Sequence, residues 1–179
     1  MNQPIGVAVV GLSASGNWGA VAHWPALQAV PGLELRGLVA GSPESTAAAS
    51  KRYHVPGYAS VSELADRDDV DLIAITVRVP EHRRLLEPLL TSGKAVLCEW
   101  PLATSLLEAE QLQRAGHTGA WFVGLQGHVS PTIRWVRDLI LHGYLGEVLS
   151  SAMLVSFPGG APPSPRRPPT PPTPPTERR

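Results

Sequence analysis

The fold of this chain is indicated by the residues Val7-Ala8-Val9-Val10-Gly11-Leu12-Ser13-Ala14-Ser15-Gly16. The apolar half predicts a strand that is buried on both faces. The Gly/Ser half predicts a turn that leads into a helix over residues 17–30. In a strand–turn–helix unit of this kind, the backbone N–H groups of the turn and the helix N-terminus face the pyrophosphate of a dinucleotide. The pattern therefore predicts a nucleotide-binding unit.

The glycine spacing of the turn is incomplete, because Ser13 stands where G-x-G-x-x-G has its middle glycine. Gly11 permits the tight turn. The Cβ of Ser13 narrows the approach of the backbone to a phosphate, and its hydroxyl can compensate by donating to a phosphate oxygen. A Gly/Ser turn that binds no ligand remains the alternative. The turn does not match the G-x-S-x-G pattern of hydrolases, since Ser15 replaces the second glycine.

Buried apolar runs alternate with helical patterns along the rest of the chain. Strands are predicted at residues 5–10, 33–39, 71–77, 94–98, 120–125 and 147–157, and helices at 17–30, 45–53, 80–92, 104–115 and 130–142. Pro25 is expected to kink or restart the first helix. Ser42 and Pro43 are expected to start the second, and Ser60 and Glu63 to form a capping box before a further short helix. This alternation predicts an α/β fold, a Rossmann-type doubly wound parallel sheet with right-handed crossovers.

Composition bounds the class of protein. A length of 179 residues allows one domain with a real core, and a formal net charge of zero gives no electrostatic case for nucleic acid or an anionic membrane as a partner. The single cysteine, Cys98, excludes an internal disulfide and fits a reducing compartment. No apolar run is long enough to cross a membrane, and the N-terminus lacks the pattern of a signal peptide. We therefore expect a cytoplasmic protein.

The composition changes abruptly at Pro158, since ten of the 22 residues from there on are proline. A segment of this kind cannot bury a core, so we predict a disordered Pro-rich tail over residues 158–179. A ligand for an SH3-type domain is one alternative for this tail. A tail without function, or a translation artefact, is the other.

Polar residues follow several predicted strands, and open α/β sheets bind their ligands at that edge. They lie in the segments Thr76–His82, Glu99–Pro101 and Gln126–His128. His82 and His128 are candidates for a general acid or a cofactor contact, and a solvated surface histidine is the alternative for each. No cluster of side chains has the spacing of a metal site, so we expect no metal.

The residues after the second predicted strand, Ala40-Gly41-Ser42, include no carboxylate. A site specific for NAD usually has an acid here that binds the ribose 2′-hydroxyl. Without the acid a 2′-phosphate is not repelled, and Ser42 can hydrogen-bond to it, which slightly favours NADP. Arg36 is expected to lie on the surface of the strand rather than at this site.

Several short stretches, in this order, resemble the N-terminal domain of the glucose–fructose oxidoreductase/inositol dehydrogenase (Gfo/Idh/MocA) family over about residues 4–157. The matching stretches are the Gly11–Gly16 turn with His23 and Pro25 following, Val79–His82, Gly93–Ala103, Val123–Gly127 and Gly143–Val148. The resemblance implies an NAD(P)-binding Rossmann domain at residues 1–128. It also implies that residues 129–157 are the linking helix and first strand of a truncated C-terminal domain.

The resemblance further implies a set of site residues. The cofactor contacts would come from Gly11, Ser13, Ser15, Gly16, Ser42, Thr76, Pro80, Glu99 and Gln126. The catalytic group, at the nicotinamide end, would consist of His82, Glu99 and Trp100. A full-length parent would bind the dinucleotide and transfer hydride to or from a sugar or polyol, and homo-oligomer formation is left open.

Two departures from the family pattern bear on activity. Trp100 occupies the place of the lysine in the family's Glu-Lys-Pro motif, and an indole cannot exchange a proton as an amine does. The Glu-Trp-Pro version looks like the branch of the family that includes the fungal galactose-regulon co-repressor. The resemblance also implies that the substrate-binding C-terminal domain of the family is missing here. We therefore expect an NAD(P)-binding protein with impaired catalysis, and the alternative is a dinucleotide-sensing transcriptional regulator that acts through a protein partner.

Overall fold

The computed structural model describes residues 3–152 and 154 of the chain. Five strands form one sheet in the order β2-β1-β3-β4-β5. They are β1 (Ile5–Val10), β2 (Leu33–Val39), β3 (Leu72–Ile75), β4 (Ala95–Glu99) and β5 (Trp121–Gly124). All neighbouring strands are parallel, and β1 pairs with β2 on one side and with β3 on the other. The strand order therefore reverses at β1, which confirms the predicted doubly wound sheet and places a crevice at that point.

Helices and helical turns connect the strands. They are a π-helical turn (Gly19–His23), α1 (Trp24–Ala29), α2 (Pro43–Tyr53), α3 (Val61–Ala65), α4 (His82–Leu86), α5 (Leu106–Ala115), α6 (Gln126–Val129) and α7 (Pro131–Leu141), with 3₁₀ turns at Val79–Glu81 and Glu87–Leu89. Their packing leaves β1 buried on both faces. Val7 and Val9 belong to one apolar cluster, whereas Ala8 and Val10 belong to another. Because alternate residues of a strand point to opposite faces, the continuous apolar run of β1 reflects a sheet covered on both sides.

Two serines cap helices as the sequence predicts. The Ser42 hydroxyl accepts a hydrogen bond from the backbone N–H of Ser45, with Pro43 in the first turn of α2. The Ser60 hydroxyl accepts from the N–H of Glu63. In the predicted capping box, the Glu63 carboxylate would accept from the N–H of Ser60. It accepts instead from the N–H of Ala59, one residue earlier.

Prolines interrupt two helices that the sequence predicts to be longer. The helix expected over residues 17–30 consists of the π-helical turn and α1, and it restarts with Pro25 in the first turn of α1. The helix expected over residues 80–92 is α4 between two 3₁₀ turns, the second of which contains Pro88. A proline lacks the N–H that would continue the α-helical pattern, so each helix breaks where a proline occurs.

The strand expected over residues 147–157 is not formed in the part of it that the structure describes, residues 147–152 and 154. A strand requires a neighbouring strand to bond its backbone groups, and none of the five described strands pairs with this segment. Alternation of apolar residues alone therefore predicted this strand wrongly over the described residues.

The described residues divide into two compact units, residues 3–134 and residues 135–152 with 154. Within the described part of the second unit, the remainder of α7 is followed by a turn in which Gly143 and Gly146 adopt positive φ angles of 72° and 64°. No helix among the described residues has both the length and the apolar composition needed to span a bilayer. The domain boundaries from the sequence stay predictions, and the expected tail over residues 158–179 lies outside the described residues.

Candidate functional site

The turn after β1 requires glycine at two positions. Gly11 has a φ angle of +97°, and a Cβ on it would lie 2.8 Å from Cγ1 of Val77 and 2.9 Å from Oγ1 of Thr76. Gly16 has a φ angle of +96°, and no atom lies within 4 Å of the place where its Cβ would stand. Such angles favour glycine because other residues clash with their own backbone there. The turn thus combines a closely packed base with open space in front of it, which fits the pyrophosphate of a dinucleotide.

Asn17 holds this turn in shape, and the sequence analysis missed it. Its Oδ1 accepts hydrogen bonds from the N–H of Ala20 at 3.1 Å and from the N–H of Ser13 at 3.4 Å. Its amide nitrogen donates to the carbonyl of Gly11. An asparagine directly after a glycine turn and before a helix is the available signal, because short amide side chains bond to nearby backbone groups.

The two serines of the turn bond to each other. The Ser13 hydroxyl accepts from the N–H of Ser15 at 3.2 Å and lies 2.9 Å from the Ser15 hydroxyl. The Ser13 carbonyl accepts from the hydroxyl of Tyr53 at 2.8 Å, which ties the turn to α2. Ser15 and Gly16 are exposed, while Ser13 is half-buried. Ser13 therefore shapes the turn, and its hydroxyl sits at the surface where a ligand would approach.

Gly19 takes the packing role that the third glycine has in a dinucleotide-binding turn. A Cβ on Gly19 would lie 2.8 Å from Oγ1 of Thr76 and 3.1 Å from the carbonyl oxygen of Gly11. The Thr76 hydroxyl cannot easily move away, because it is buried and donates to the Val10 carbonyl at 2.9 Å. The close approach of the π-helical turn to β1 and β3 therefore depends on Gly19, which lies three residues beyond the glycine that the motif singles out.

A cleft of about 1300 Å³ opens at the carboxyl ends of β1, β2 and β3. Four of the predicted cofactor-binding residues line it, namely Gly11, Ser13, Ser42 and Thr76. Among the described residues, the one carboxylate in its lining is that of Glu81, which is paired with Arg84 at 2.8 Å. Arg78 also lines the cleft, and no described carboxylate lies within ion-pair distance of it. The cleft thus offers hydroxyl groups, backbone groups and an uncompensated guanidinium, which suits an anionic ligand.

Arg36 does not contribute to this cleft. It forms an ion pair with Glu34 at 2.5 Å, as expected for a residue on the surface of β2.

A second cleft, of about 570 Å³, lies at the carboxyl ends of β4 and β5. Glu99 and Gln126, both predicted site residues, line it together with His23. Nε2 of His23 lies 2.6 Å from Oε1 of Glu99, and the Gln126 amide donates to Oε2 of Glu99 at 3.2 Å. Trp18 lines this cleft and also the larger one. The sequence analysis quoted His23 for its resemblance to a family but assigned it no role.

The structure does not bring His82 to either cleft. The side chain is fully buried, with Nδ1 3.1 Å from the Leu102 carbonyl oxygen and Nε2 3.0 Å from that of Val77. The alternative of a solvated surface histidine is therefore wrong, whereas a role of His82 in the site stays a prediction. Sγ of Cys98 lies 3.3 Å from Nδ1, and burial, with a smaller effect of the Glu99 charge, raises the pKa of the Cys98 thiol to about 12. Cys98 is accordingly a packed thiol, and His82 joins the segments that follow β3 and β4.

Four further predicted site residues line neither cleft, namely Ser15, Gly16, Pro80 and Trp100. Pro80 is exposed in the 3₁₀ turn Val79–Glu81, and the Trp100 side chain is 61% exposed just after β4. Of the three residues expected to form a catalytic group, the structure therefore places only Glu99 at a cleft. His128, the other histidine candidate, is exposed and lines the smaller cleft.

Comparison with known proteins supplies relatives of two kinds. The chain is 33% identical over 165 residues to the dehydrogenase aclE of Aspergillus oryzae, a match that covers 87% of this chain and 45% of the relative. It is 30% identical over 159 residues to the galactose/lactose metabolism regulatory protein GAL80 of Saccharomyces cerevisiae, covering 82% of this chain and 37% of the relative. The chain thus spans less than half the length of these relatives.

Solved structures of related fold also match this chain. A super-repressor mutant of Gal80p from Saccharomyces cerevisiae matches with a TM-score of 0.72 and 29% identity, over 80% of this chain and 40% of that one. A myo-inositol 2-dehydrogenase from Lactobacillus plantarum, at 20% identity and a TM-score of 0.71, shares the fold over 82% of this chain and 43% of its own. The model of an oxidoreductase family with an NAD-binding Rossmann fold matches residues 5–119. With the glycine turn, the strand order and these matches together, the chain belongs to that family, Gfo/Idh/MocA.

Proposed function

We propose that this chain binds NAD(P)H across both clefts, as the dinucleotide-binding part of an oxidoreductase that acts on a sugar or polyol. The observation that carries the proposal is the Gly11–Gly16 turn at the end of β1, with open space in front of Gly16. The pyrophosphate would lie at this turn and the adenosine in the larger cleft beside Ser42. Trp18 borders both clefts, so a ligand that passes it can extend from one to the other.

We expect Gly16→Val to weaken NADPH binding by about tenfold or more, because its side chain occupies the space assigned to the pyrophosphate. Gly32→Val is the matched control. Gly32 has a φ angle of +84° and equally open surroundings, but it lies before β2, away from the clefts. Both variants therefore carry similar backbone strain. Calorimetric titration with NADPH measures the affinities, and equal affinities for the two variants would mean that the turn binds no ligand.

We further propose that the cofactor is NADP rather than NAD. Ala40, Gly41 and Ser42 follow β2 without a carboxylate, so nothing at that place repels a 2′-phosphate. Among the described residues, Glu81 is the one acidic residue in the cleft lining, and its charge is compensated by the ion pair with Arg84. The guanidinium of Arg78 is then available for a phosphate.

Arg78→Gln is expected to weaken NADPH binding by about tenfold while changing NADH binding much less, because the lost charge faces the extra phosphate. Arg114→Gln serves as the control, since it removes the same charge from an exposed arginine of α5 that is paired with Glu110 and lines neither cleft. Titrations with both dinucleotides, repeated at higher salt, give the comparison. The preference for NADP is refuted if the unmodified protein binds NADH as tightly as NADPH.

Hydride transfer itself is supplied by the nicotinamide of the bound dinucleotide. The chain's own contribution at that end is Glu99, with Trp100 in the place where the family pattern has lysine. The chain has two lysines, and neither can replace that one: Nζ of Lys94 donates to the Arg67 carbonyl at 2.6 Å, and Lys51 lies on α2. We therefore propose that catalysis by this chain alone is impaired.

A dinucleotide-sensing regulator is the second candidate function. The observation in its favour is Trp100, which has no exchangeable proton for catalysis and presents a large exposed aromatic surface. Similarity to GAL80, a galactose/lactose metabolism regulatory protein, supports it. A pull-down of protein partners with and without NADPH separates the two functions, since only the regulator should retain a partner in a dinucleotide-dependent way.

A further inference from the structure

Three side chains from distant parts of the chain meet in the lining of the smaller cleft. His23 ends the π-helical turn, Glu99 ends β4, and Gln126 begins α6. The Glu99 carboxylate is bonded through one oxygen to His23 at 2.6 Å and through the other to Gln126 at 3.2 Å. The His23 and Glu99 side chains are only 16% and 13% exposed, respectively. Each oxygen of the Glu99 carboxylate is thus hydrogen-bonded to a different side chain.

This arrangement fixes the direction of the Glu99 carboxylate. A carboxylate that is largely withdrawn from water needs hydrogen-bond partners to remain charged, and charge-assisted bonds are short and directional. His23 makes the shorter of the two bonds. It is carried by the segment that begins with the pyrophosphate turn, so the same piece of chain that would hold the phosphates also holds Glu99 in place.

Apart from His128, the rest of the lining of the smaller cleft is apolar. Its lining includes Trp18, Ala22, Leu97, Val123 and Leu125. A mostly apolar cavity with a few hydrogen-bonding groups suits a flat ring that carries polar substituents. The nicotinamide riboside half of a dinucleotide has this chemistry, and its ribose hydroxyls can donate to a carboxylate.

We propose that His23 is a positioning residue, which holds the Glu99 carboxylate in the orientation that binds the nicotinamide riboside half of the cofactor. The inference rests on the proposed function, because it takes the dinucleotide as the ligand. It assigns to His23 an effect on one half of that ligand only. A residue that merely stabilised the fold would affect both halves alike.

The experiment compares NADH with ADP-ribose, which has the same adenosine and pyrophosphate but no nicotinamide. Calorimetric titrations are carried out on the unmodified chain, His23→Leu and His23→Gln. We expect His23→Leu to weaken NADH binding by about tenfold or more and ADP-ribose binding by about twofold at most. Glutamine can still donate to Glu99, so His23→Gln should bind NADH more tightly than His23→Leu does.

Each outcome bears on the inference. Equal losses for NADH and ADP-ribose in both variants would overturn it, because they would indicate a structural role. If His23→Leu does not fold, His23→Gln is compared with the unmodified chain instead. The inference is then tested by whether this variant loses more affinity for NADH than for ADP-ribose. Unchanged NADH binding in a variant that still binds ADP-ribose overturns the positioning role and leaves the proposed function standing. If the unmodified chain binds NADPH but not NADH, the same comparison is made with NADPH and 2′-phospho-ADP-ribose. If it binds neither dinucleotide, the proposed function fails and the inference fails with it.

Glu99→Gln provides an independent check. This change keeps the shape of the side chain but removes the charge that His23 orients. If His23 acts through Glu99, the double variant His23→Leu/Glu99→Gln should lose no more NADH affinity than the more affected single variant. Additive losses would show that the two residues act separately and would contradict the positioning role.

Discussion

Gly19→Ala is expected to lower the free energy of unfolding by about 2 kcal/mol and to weaken NADPH binding. The added Cβ would stand 2.8 Å from Oγ1 of Thr76 and 3.1 Å from the Gly11 carbonyl oxygen. Because the Thr76 hydroxyl is bonded to the Val10 carbonyl, the π-helical turn must move away from the sheet. That movement also displaces the Gly11–Gly16 turn. Urea denaturation measures the stability, and calorimetric titration measures the affinity.

Gly127→Ala is the matched control for this substitution. Gly127 also lies in a helix, α6, but no atom is within 4 Å of the place where its Cβ would stand. Alanine favours a helix over glycine by up to about 1 kcal/mol, so this control should be neutral or slightly stabilising. Adding Thr76→Ala to Gly19→Ala should recover part of the loss, because it removes the hydroxyl that the new methyl group meets. Equal stability of the two glycine variants would refute the packing role of Gly19.

His82→Leu is expected to lower the free energy of unfolding by about 3 kcal/mol. Leucine fills a similar volume, but it cannot bond to the carbonyl groups of Val77 and Leu102, which the buried imidazole contacts at 3.0 and 3.1 Å. The segments after β3 and β4 would lose the side chain that joins them. The measurement is again urea denaturation, with the midpoint and slope compared to those of the unmodified chain.

His128→Leu is the control for His82→Leu. His128 is exposed, and the same change there should alter stability by about 0.5 kcal/mol or less. A His82→Leu variant as stable as this control would show that the buried hydrogen bonds contribute little. It would also reopen a direct role for His82 in ligand binding.

His82 and His23 illustrate how much of the site can be predicted from the sequence. His82 was a candidate because imidazole is a common acid or ligand and because the residue follows a predicted strand. Its burial depends on how α4 packs against the segment that contains Leu102, and no local pattern reveals that packing. His23 was passed over because nothing near it in sequence is acidic. Its partner, Glu99, reaches it only because parallel strands end at one edge of the sheet.

The glycines after β1 also differ in whether the sequence or the tertiary structure explains them. The positive φ angles of Gly11 and Gly16 follow from a motif that acts within one turn, so the sequence predicts them. Gly19 lies outside the motif, and its requirement arises from contact with Thr76, which directly follows β3. The strand expected at residues 147–157 is not formed over its described residues, because a strand needs a neighbouring strand to bond with. Alternation of apolar and polar residues along the chain does not show whether such a neighbour exists.

The strands, most helices and their parallel order follow from the sequence alone, because hydrophobic periodicity, capping serines and turn glycines act over a few residues. The identity of the groups that face a ligand does not follow from it. Tertiary structure buried His82, joined His23 to Glu99, left Arg78 without a described carboxylate partner and placed Trp18 between two clefts. Each of these results depends on contacts between residues far apart in the chain, where burial and charge pairing are decided.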